Sequence, residues 1–387
     1  MVTKRASEIK PFIVMEVLEK ANAMEREGIN VIHMEVGEPD FDTPQCIKDA
    51  VKKAVEDGYT HYTHSLGDFE LRKAISNHYK TTYHAMCSPD RIVVTSGTSP
   101  AMFLLFSALI EEDDEVILSD PHYACYPNFI NYMGGKPVKV TVHAEDGFQL
   151  DLDAVKKKIT KKTKAILVNS PSNPTGNHLS KERLKAIAEL AEAAHLHVIS
   201  DEIYHGLTYE GQDHSILEFT DRAFVLNGFS KLYAMTGLRL GYLMAPTEFI
   251  RPMQKLHQNF FISANSAVQI AGITALEKAG DDILRMRGIY NERRLFLIQR
   301  LKELGFKIPK EPTGAFYVFA NAKHLSGNSL KLAFDILEKA HLGVTPGIDF
   351  GDNGEGYLRF SYANSIENLR EGMNRLEAYL KNEYHIG

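Results

Sequence analysis

The sequence predicts an α/β fold in which helices cover both faces of a mostly parallel central sheet. From about residue 91 onwards, short apolar runs alternate with helical stretches. Repeated strand–helix–strand units form right-handed crossovers, which join parallel strands. The 387 residues are 44% hydrophobic and 24% charged, an ordinary globular composition, and this length favours about two domains.

The short apolar runs of the central region are typical of buried strands. We expect strands at Ile92–Thr95, Glu115–Ser119, Lys136–Val142, Lys164–Asn169, His197–Ser200, Ala223–Asn227 and Leu240–Ala245. The helices between them include Pro100–Ile110, Ala124–Met133 and Ser180–His195. Ser180 is expected to cap its helix, because a serine oxygen accepts the free N–H groups of a first turn.

The two ends of the chain follow a different pattern. Their elements are a first helix, an extended segment at Asn30–Val36, a long helix beyond residue 280, strands at Phe316–Phe319 and Tyr357–Ser361, and a final helix from Ser365. We expect a large domain at residues 46–280 and a smaller α+β domain that combines residues 1–45 and 281–387.

Charge and cysteine content exclude several classes of protein. The formal net charge is −6, so no positive field attracts nucleic acid or an anionic membrane. Cys46, Cys87 and Cys125 are too few and too scattered for a disulfide framework or a zinc site, which favours a reducing cytoplasm and no metal. There is no signal-peptide pattern, and the most apolar run, Ala101–Ile110, is far shorter than the ~20 residues of a membrane span. We therefore expect a soluble cytoplasmic protein.

Four loops that follow predicted strands carry chemically active residues, and ligands of open α/β sheets bind at this edge. The first loop offers Gly97, the hydroxyls of Thr98 and Ser99, and the start of a helix. Free amides, hydroxyls and a close backbone approach suit a phosphate. Taken alone, this loop is more often a capped helix start without a ligand, because Ser/Thr-Gly before a helix is common.

The second and third loops place polar groups after buried strands. Asn173 can donate and accept hydrogen bonds between two prolines, and either X–Pro bond can be cis, although a structural turn has the same composition. Asp201 and Tyr204 follow the next strand. A buried carboxylate needs a positive partner, and the alternative for Asp201 is a helix N-cap.

The fourth loop contains Lys231 among apolar and small residues, which disfavour its ammonium form, and then Arg239, a planar fork for a dianion. A single lysine is usually a surface residue. Together, however, the four loops match the needs of pyridoxal phosphate (PLP). Its aldehyde needs a lysine, its pyridine nitrogen a carboxylate, its 3-oxygen hydrogen-bond donors, and its phosphate a helix start with an arginine.

The sequence resembles the class I/II aminotransferases of fold type I, PLP enzymes that include aspartate and aromatic aminotransferases. The motifs that carry the resemblance are Glu35–Phe41, Asn173–Gly176, Ser200–Tyr204, Ser230-Lys231, Gly237–Gly241 and Tyr357–Tyr362, so it extends over nearly the whole chain. The resemblance implies a large PLP-binding domain and a small domain that carries the substrate arginine.

The resemblance also implies a role for each matching position. Lys231 forms the Schiff base with PLP and moves the proton between the substrate Cα and C4′ of the cofactor, while Asp201 pairs with the pyridine nitrogen. The other implied cofactor contacts are Asn173 and Tyr204 at the 3-oxygen, Gly97, Thr98, Ser99, Ser230 and Arg239 at the phosphate, Tyr123 on the ring face, and Tyr62 at the phosphate of a neighbouring subunit.

For the substrate, the resemblance implies that Arg359 binds the α-carboxylate and that the Gly37 backbone approaches it, with Tyr123 and Asn173 also in contact. Because Tyr62 reaches into another subunit, we expect a homodimer with shared active sites. Asn265 is a second, weaker candidate for a contact between subunits.

The expected reaction is ping-pong transamination between an L-amino acid and a 2-oxo acid. The apolar segment Pro11–Met15 can line the side-chain pocket, and Ser99-Pro100-Ala101 stands where some relatives have a lysine. Both features favour neutral, aromatic or thioether donors, with 2-oxoglutarate as acceptor. One alternative is a PLP-dependent β-eliminating lyase or synthase on the same fold. A more distant one is a PLP-sensing regulator, but such regulators carry an added DNA-binding domain, whereas this fold is expected to begin almost at residue 1.

Overall fold

The structure is a computed structural model that describes residues 2–385. Its strands are β1 (Ile32–His33), β2 (Ile92–Thr95), β3 (Glu115–Asp120), β4 (Lys136–Thr141), β5 (Thr163–Asn169), β6 (His197–Asp201), β7 (Ala223–Gly228), β8 (Gly241–Met244), β9 (Tyr317–Asn321), β10 (Leu342–Gly343), β11 (Thr345–Pro346) and β12 (Tyr357–Ser361). Its helices are α1 (Lys4–Ser7), α2 (Ile13–Arg26), α3 (Gln45–Glu56), α4 (Phe69–Tyr83), α5 (Thr98–Leu109), α6 (Tyr126–Tyr132), α7 (Leu152–Lys158), α8 (Lys181–Ala193), α9 (Thr247–Phe260), α10 (Ser266–Lys278), α11 (Gly280–Glu303), α12 (Ser329–Ala340) and α13 (Ile366–Tyr384).

The central sheet has seven strands in the order β2-β8-β7-β6-β5-β3-β4. Strands β3 to β7 are parallel, whereas β8 is antiparallel to both β2 and β7. The prediction of a mostly parallel sheet is therefore confirmed, and all seven strands predicted here are present. Strand β8 follows β7 without a crossover helix, and this explains why it runs in the opposite direction.

Helix α5 begins two residues earlier than expected, at Thr98 rather than Pro100. Gly97 precedes it with a φ of +93°, a conformation that favours glycine. Thr98 and Ser99 therefore belong to the first helical turn. The cap predicted for α8 is confirmed, since Ser180 Oγ accepts a hydrogen bond from the Arg183 amide.

Helix α6 is shorter than the expected Ala124–Met133. The residues before it form a loop, in which the backbone N–H of His122 donates to the carbonyl oxygen of Phe350 over 2.9 Å. This bond to a distant segment holds the neighbouring Tyr123 at the carboxyl edge of the sheet.

Segments from both ends of the chain form two smaller sheets. Strand β1 pairs in parallel with β10, and three antiparallel strands pair in the order β11-β12-β9. Apolar side chains of β9, β12, α11, α12 and α13 share a core beside these sheets. This second core is consistent with the predicted small domain. The boundaries of that domain stay a prediction. Among residues 2–385, no helix is both long enough and apolar enough to span a bilayer.

Candidate active site

A cavity of about 320 Å³ lies at the carboxyl edge of the central sheet. Loops that follow strands converge at this edge in open α/β sheets, and all four loops identified from the sequence reach it. The predicted site residues that line it are Gly37, Thr98, Ser99, Tyr123, Asn173, Asp201, Tyr204, Ser230, Lys231, Arg239 and Arg359.

The side-chain amine of Lys231 lies in this cavity and donates a hydrogen bond to the carbonyl oxygen of Gly37 (2.6 Å). The Lys231 side chain as a whole is half-buried, whereas its amine is buried. Burial lowers the pKa of Lys231 to about 8, and the nearby carboxylate of Glu38 opposes this only in part. The nucleophilic free amine is therefore much more accessible than that of a surface lysine.

Asp201 ends β6 and is buried. One of its oxygens accepts from the Tyr126 hydroxyl (2.6 Å), and the other accepts from the Ile203 amide (3.2 Å). Burial raises the pKa of Asp201 to about 6, although these hydrogen bonds act in the opposite direction. A buried carboxylate of this kind favours a positively charged partner in the cavity.

Two chain segments, residues 97–98 and 239–241, meet closely at the start of α5. A Cβ at Gly241 would lie 2.7 Å from the carbonyl carbon of Gly97 and 2.9 Å from the nitrogen of Thr98. A Cβ at Gly97 would overlap the guanidinium of Arg239, which is exposed at this edge. The first amides of α5, the hydroxyls of Thr98 and Ser99, and this guanidinium therefore lie close together, and groups of this kind suit a phosphate.

Arg359 lies on β12 and is only 2% exposed. Its Nη1 donates to Asn173 Oδ1 (2.9 Å), while Nη2 donates to the backbone carbonyl of Glu35 and to Thr345 Oγ1 (3.1 Å). The Tyr317 ring packs against the guanidinium at 4.3 Å. Within residues 2–385, the buried Nε of Arg359 has no hydrogen-bond partner, which favours an anionic ligand beside it.

Tyr317 also connects the arginine to two other predicted residues. Its hydroxyl lies 2.8 Å from that of Tyr204. A Cβ at position 37 would overlap the Tyr317 hydroxyl, so the close approach of Gly37 requires a glycine.

The apolar side of the cavity comes from the N-terminal segment, where the sequence predicted a wall at Pro11–Met15. Phe12, Val14 and Met15 line the cavity. The edge of the Phe12 ring faces Tyr123, with ring centroids 6.0 Å apart. The prediction that this segment lines the pocket is therefore confirmed for these three residues.

The two residues expected at a subunit contact lie elsewhere. Tyr62 is 81% exposed and does not line the cavity of its own chain. A residue that reaches a second subunit must be exposed in this way. The contact of Tyr62 with a second subunit stays a prediction. Asn265 caps α10, since its Oδ1 accepts from the Val268 amide (3.0 Å).

Tyr126 and Tyr317 were not predicted as site residues. Tyr126 follows Tyr123 by about one helical turn, and this spacing was the signal that could have found it. The local pattern around Tyr317 is that of an ordinary buried strand. Only the pairing of β9 with β12 brings it to Arg359.

Comparisons with known proteins agree with this geometry. The family described as aminotransferase class I and II matches residues 29–376. The chain is 42% identical to an aspartate aminotransferase of Pyrococcus horikoshii, over 99% of this chain and 98% of the relative. It is 41% identical to the (5-formylfuran-3-yl)methyl phosphate transaminase of Methanocaldococcus jannaschii, over 98% and 100%. The solved structure of Thermus thermophilus aspartate aminotransferase with maleate has a TM-score of 0.94 at 36% identity, over 98% of this chain and 99% of that one.

Proposed function

We propose substrates and residue roles for this chain, which belongs to the class I and II aminotransferase family and is an aminotransferase of fold type I. The proposed reaction moves the α-amino group of a neutral, aromatic or thioether L-amino acid to a 2-oxo acid such as 2-oxoglutarate. The observation that carries this proposal is the buried amine of Lys231, which shares one cavity with Asp201 and Arg359.

The residues of the cavity fit PLP, the cofactor of this family. Gly97 and Gly241 allow the Arg239 guanidinium to pack against the start of α5, and Lys231 and Asp201 provide the buried amine and carboxylate. When bound, PLP supplies an electron sink for the bonds at the substrate Cα. We assign the phosphate to Gly97, Thr98, Ser99, Ser230 and Arg239, the 3-oxygen to Asn173 and Tyr204, and the ring face to Tyr123.

Lys231 is the proposed general base and acid. With PLP and an amino acid bound, the free amine of Lys231 would accept the proton from the substrate Cα and would later donate it back. Such proton transfer typically contributes about 10²–10⁴-fold to a rate. Asp201 keeps the pyridine nitrogen protonated, because its buried carboxylate favours a cationic partner.

Capture of PLP by the cofactor-free enzyme is expected to accelerate with pH up to about pH 8 and then to level off. The nucleophile is the neutral amine of Lys231, whose pKa burial lowers to about 8. Below that value its neutral fraction rises about tenfold per pH unit, and above it the amine is already neutral. Stopped-flow absorbance across about pH 6 to 10 measures the rate. A rate that still increases near the upper end of this pH range would show that the pKa of Lys231 is that of an ordinary lysine.

Replacing Arg359 with lysine is expected to raise the KM for the amino donor about 10- to 100-fold, with a smaller effect on kcat. Lysine keeps the charge but loses the planar fork, and a hydrogen bond to a charged group contributes about 1.5–3 kcal/mol. Steady-state kinetics with one donor measures this. The control is Arg285→Lys, at an exposed position of α11. An unchanged KM would show that the carboxylate binds elsewhere.

The walls of the cavity support a neutral donor. Its apolar side consists of Phe12, Val14 and Met15, and the cationic side chains that line it are Lys231, Arg239 and Arg359. We assign Lys231 and Arg239 to the cofactor and Arg359 to the α-carboxylate of the substrate. None of the three is then free to bind a second carboxylate on the substrate side chain. An apolar wall stabilises an apolar side chain roughly in proportion to the area that it buries.

A panel of amino donors tests this assignment. Phenylalanine, methionine, alanine and aspartate are offered with 2-oxoglutarate or pyruvate as acceptor, and the 2-oxo acid product is measured. We expect higher kcat/KM with phenylalanine and methionine than with aspartate. A preference for aspartate would refute the assignment, and ammonia release without an acceptor would instead identify an eliminating lyase.

We also propose a homodimer in the cytoplasm, with Tyr62 of each subunit at the phosphate of the other. The high exposure of Tyr62 supports a contact beyond its own chain, and the free thiols of Cys46, Cys87 and Cys125 suit a reducing compartment. Sedimentation velocity measures the assembly directly. A monomer that is fully active would contradict the shared site.

A further inference from the structure

Residues 10–15, here called the N-terminal strap, border the cavity and attach to helix α6 and the loop before it. The backbone N–H of Lys10 donates to Asn128 Oδ1 (3.3 Å), and Asn128 Nδ2 donates back to the carbonyl oxygen of Lys10 (3.1 Å). Asn128 lies on α6. Two residues further along the strap, Phe12 packs edge-on against Tyr123. One end of the strap is therefore held to the loop and helix that follow β3.

The other end of the strap becomes the first turn of α2, which Phe12 at the N-cap position leaves without a side-chain cap. Asp349 supplies one from a distant part of the chain. Its Oδ1 accepts from the Ile13 amide (3.1 Å), and its Oδ2 accepts from the Val14 amide (3.2 Å). Both oxygens are used, and the positive end of a helix favours a carboxylate at this position.

Asp349 stands on a turn that touches the rest of the active site. The turn is Gly347–Phe350. The carbonyl oxygen of Phe350 accepts from the His122 amide, and the Phe350 ring lies 4.9 Å from the guanidinium of Arg359. The carboxylate thus connects the strap to the same turn that packs against the substrate arginine.

We propose that Asp349 is a positioning residue for substrate specificity, because its cap on α2 holds Phe12, Val14 and Met15 as the wall that receives a bulky apolar side chain. This inference rests on the proposed transamination of neutral amino acids. A large side chain gains binding energy in the transition state only where the wall is ordered. Alanine has only a methyl group to place there, so it depends much less on the cap.

The variant Asp349→Asn tests the proposal, since an amide has the same size but only one acceptor oxygen for two backbone amides. We expect kcat/KM to fall about tenfold for phenylalanine and methionine, the order of one lost helix cap, and less than about threefold for alanine. Hydrogen–deuterium exchange of residues 10–18 is expected to accelerate. The visible absorption of the bound cofactor is expected to stay unchanged, because Asp349 does not line the cofactor cavity.

The matched control is Asp352→Asn, three positions away, at an exposed carboxylate that pairs with Lys139 (2.9 Å). It is expected to behave like the wild type. Asn128→Ala releases the strap at its other end and is expected to cause the same selective loss. An equal fall for all donors, or unchanged exchange in residues 10–18, would overturn the role of Asp349. If the wild-type enzyme transaminates none of these donors, it is the proposed function that fails.

Discussion

Replacing Lys231 with alanine is expected to abolish transamination and to remove the visible absorption of the lysine-bound cofactor. The variant loses the amine that links to PLP and also the base that takes the Cα proton. The proton transfer alone typically contributes about 10²–10⁴-fold, so we expect a loss at the upper end of that range or beyond. Arg239 and Arg359 also line the cavity, but arginine stays protonated and cannot replace a neutral amine. Steady-state assays and absorption spectra measure both effects.

The matched control is Lys185→Ala on the exposed face of α8, which is expected to keep wild-type activity and spectrum. Circular dichroism establishes that the Lys231 variant is folded. Normal turnover by a folded Lys231→Ala enzyme would refute the assignment of this lysine, and with it the mechanism proposed above.

Replacing Asp201 with asparagine is expected to lower kcat about 10²–10³-fold, the typical effect of removing one preorganised electrostatic group from an active site. Asparagine keeps the size of the side chain and can still accept from Tyr126 or the Ile203 amide. It has no charge, however, and cannot hold the pyridine nitrogen in its protonated form. Single-turnover kinetics with one donor separates this loss from a change in substrate binding.

The pH dependence of PLP binding gives a second measurement of the same substitution. In the cofactor-free protein, burial raises the pKa of Asp201 to about 6. The carboxylate is therefore neutral below that pH and can no longer pair with a cation. We expect the affinity of the wild type for PLP to fall between about pH 7 and 5, and Asp201→Asn to lack this additional fall. Equal profiles for the two proteins, measured by equilibrium dialysis, would exclude Asp201 as the partner of the pyridine nitrogen.

Most of the central fold could be predicted because each of its signals is local. A buried strand such as β5 or β7 is a short apolar run, and each run ends at a turn signal that is visible in the sequence. The predicted start of α5 was late by two residues. The helix in fact starts at Thr98, directly after Gly97, whose positive φ ends the preceding loop.

The cofactor side of the candidate site was also predictable, for a geometric reason. The loops with Thr98, Asn173, Asp201 and Lys231 all follow strands of one sheet, so their order along the chain is enough to bring them to one edge. Contacts between segments that are far apart along the chain have no comparable signal in the sequence. The ring of Tyr317 reaches Arg359 only because β9 pairs with β12. The cap of Asp349 on α2 joins segments from opposite ends of the chain.

The central sheet and the residue types at its carboxyl edge could be predicted from the sequence alone, and the motifs in those loops carried the resemblance to the aminotransferases. These follow from patterns within short segments, since hydrophobic period and loop chemistry are properties of neighbouring residues. The folded structure was needed to identify the hydrogen-bond partners of Lys231, Asp201 and Arg359, and the carboxylate of Asp349 that caps the apolar wall. Hydrogen bonds and packing act between atoms within a few ångströms, and folding brings those atoms together from residues far apart along the chain.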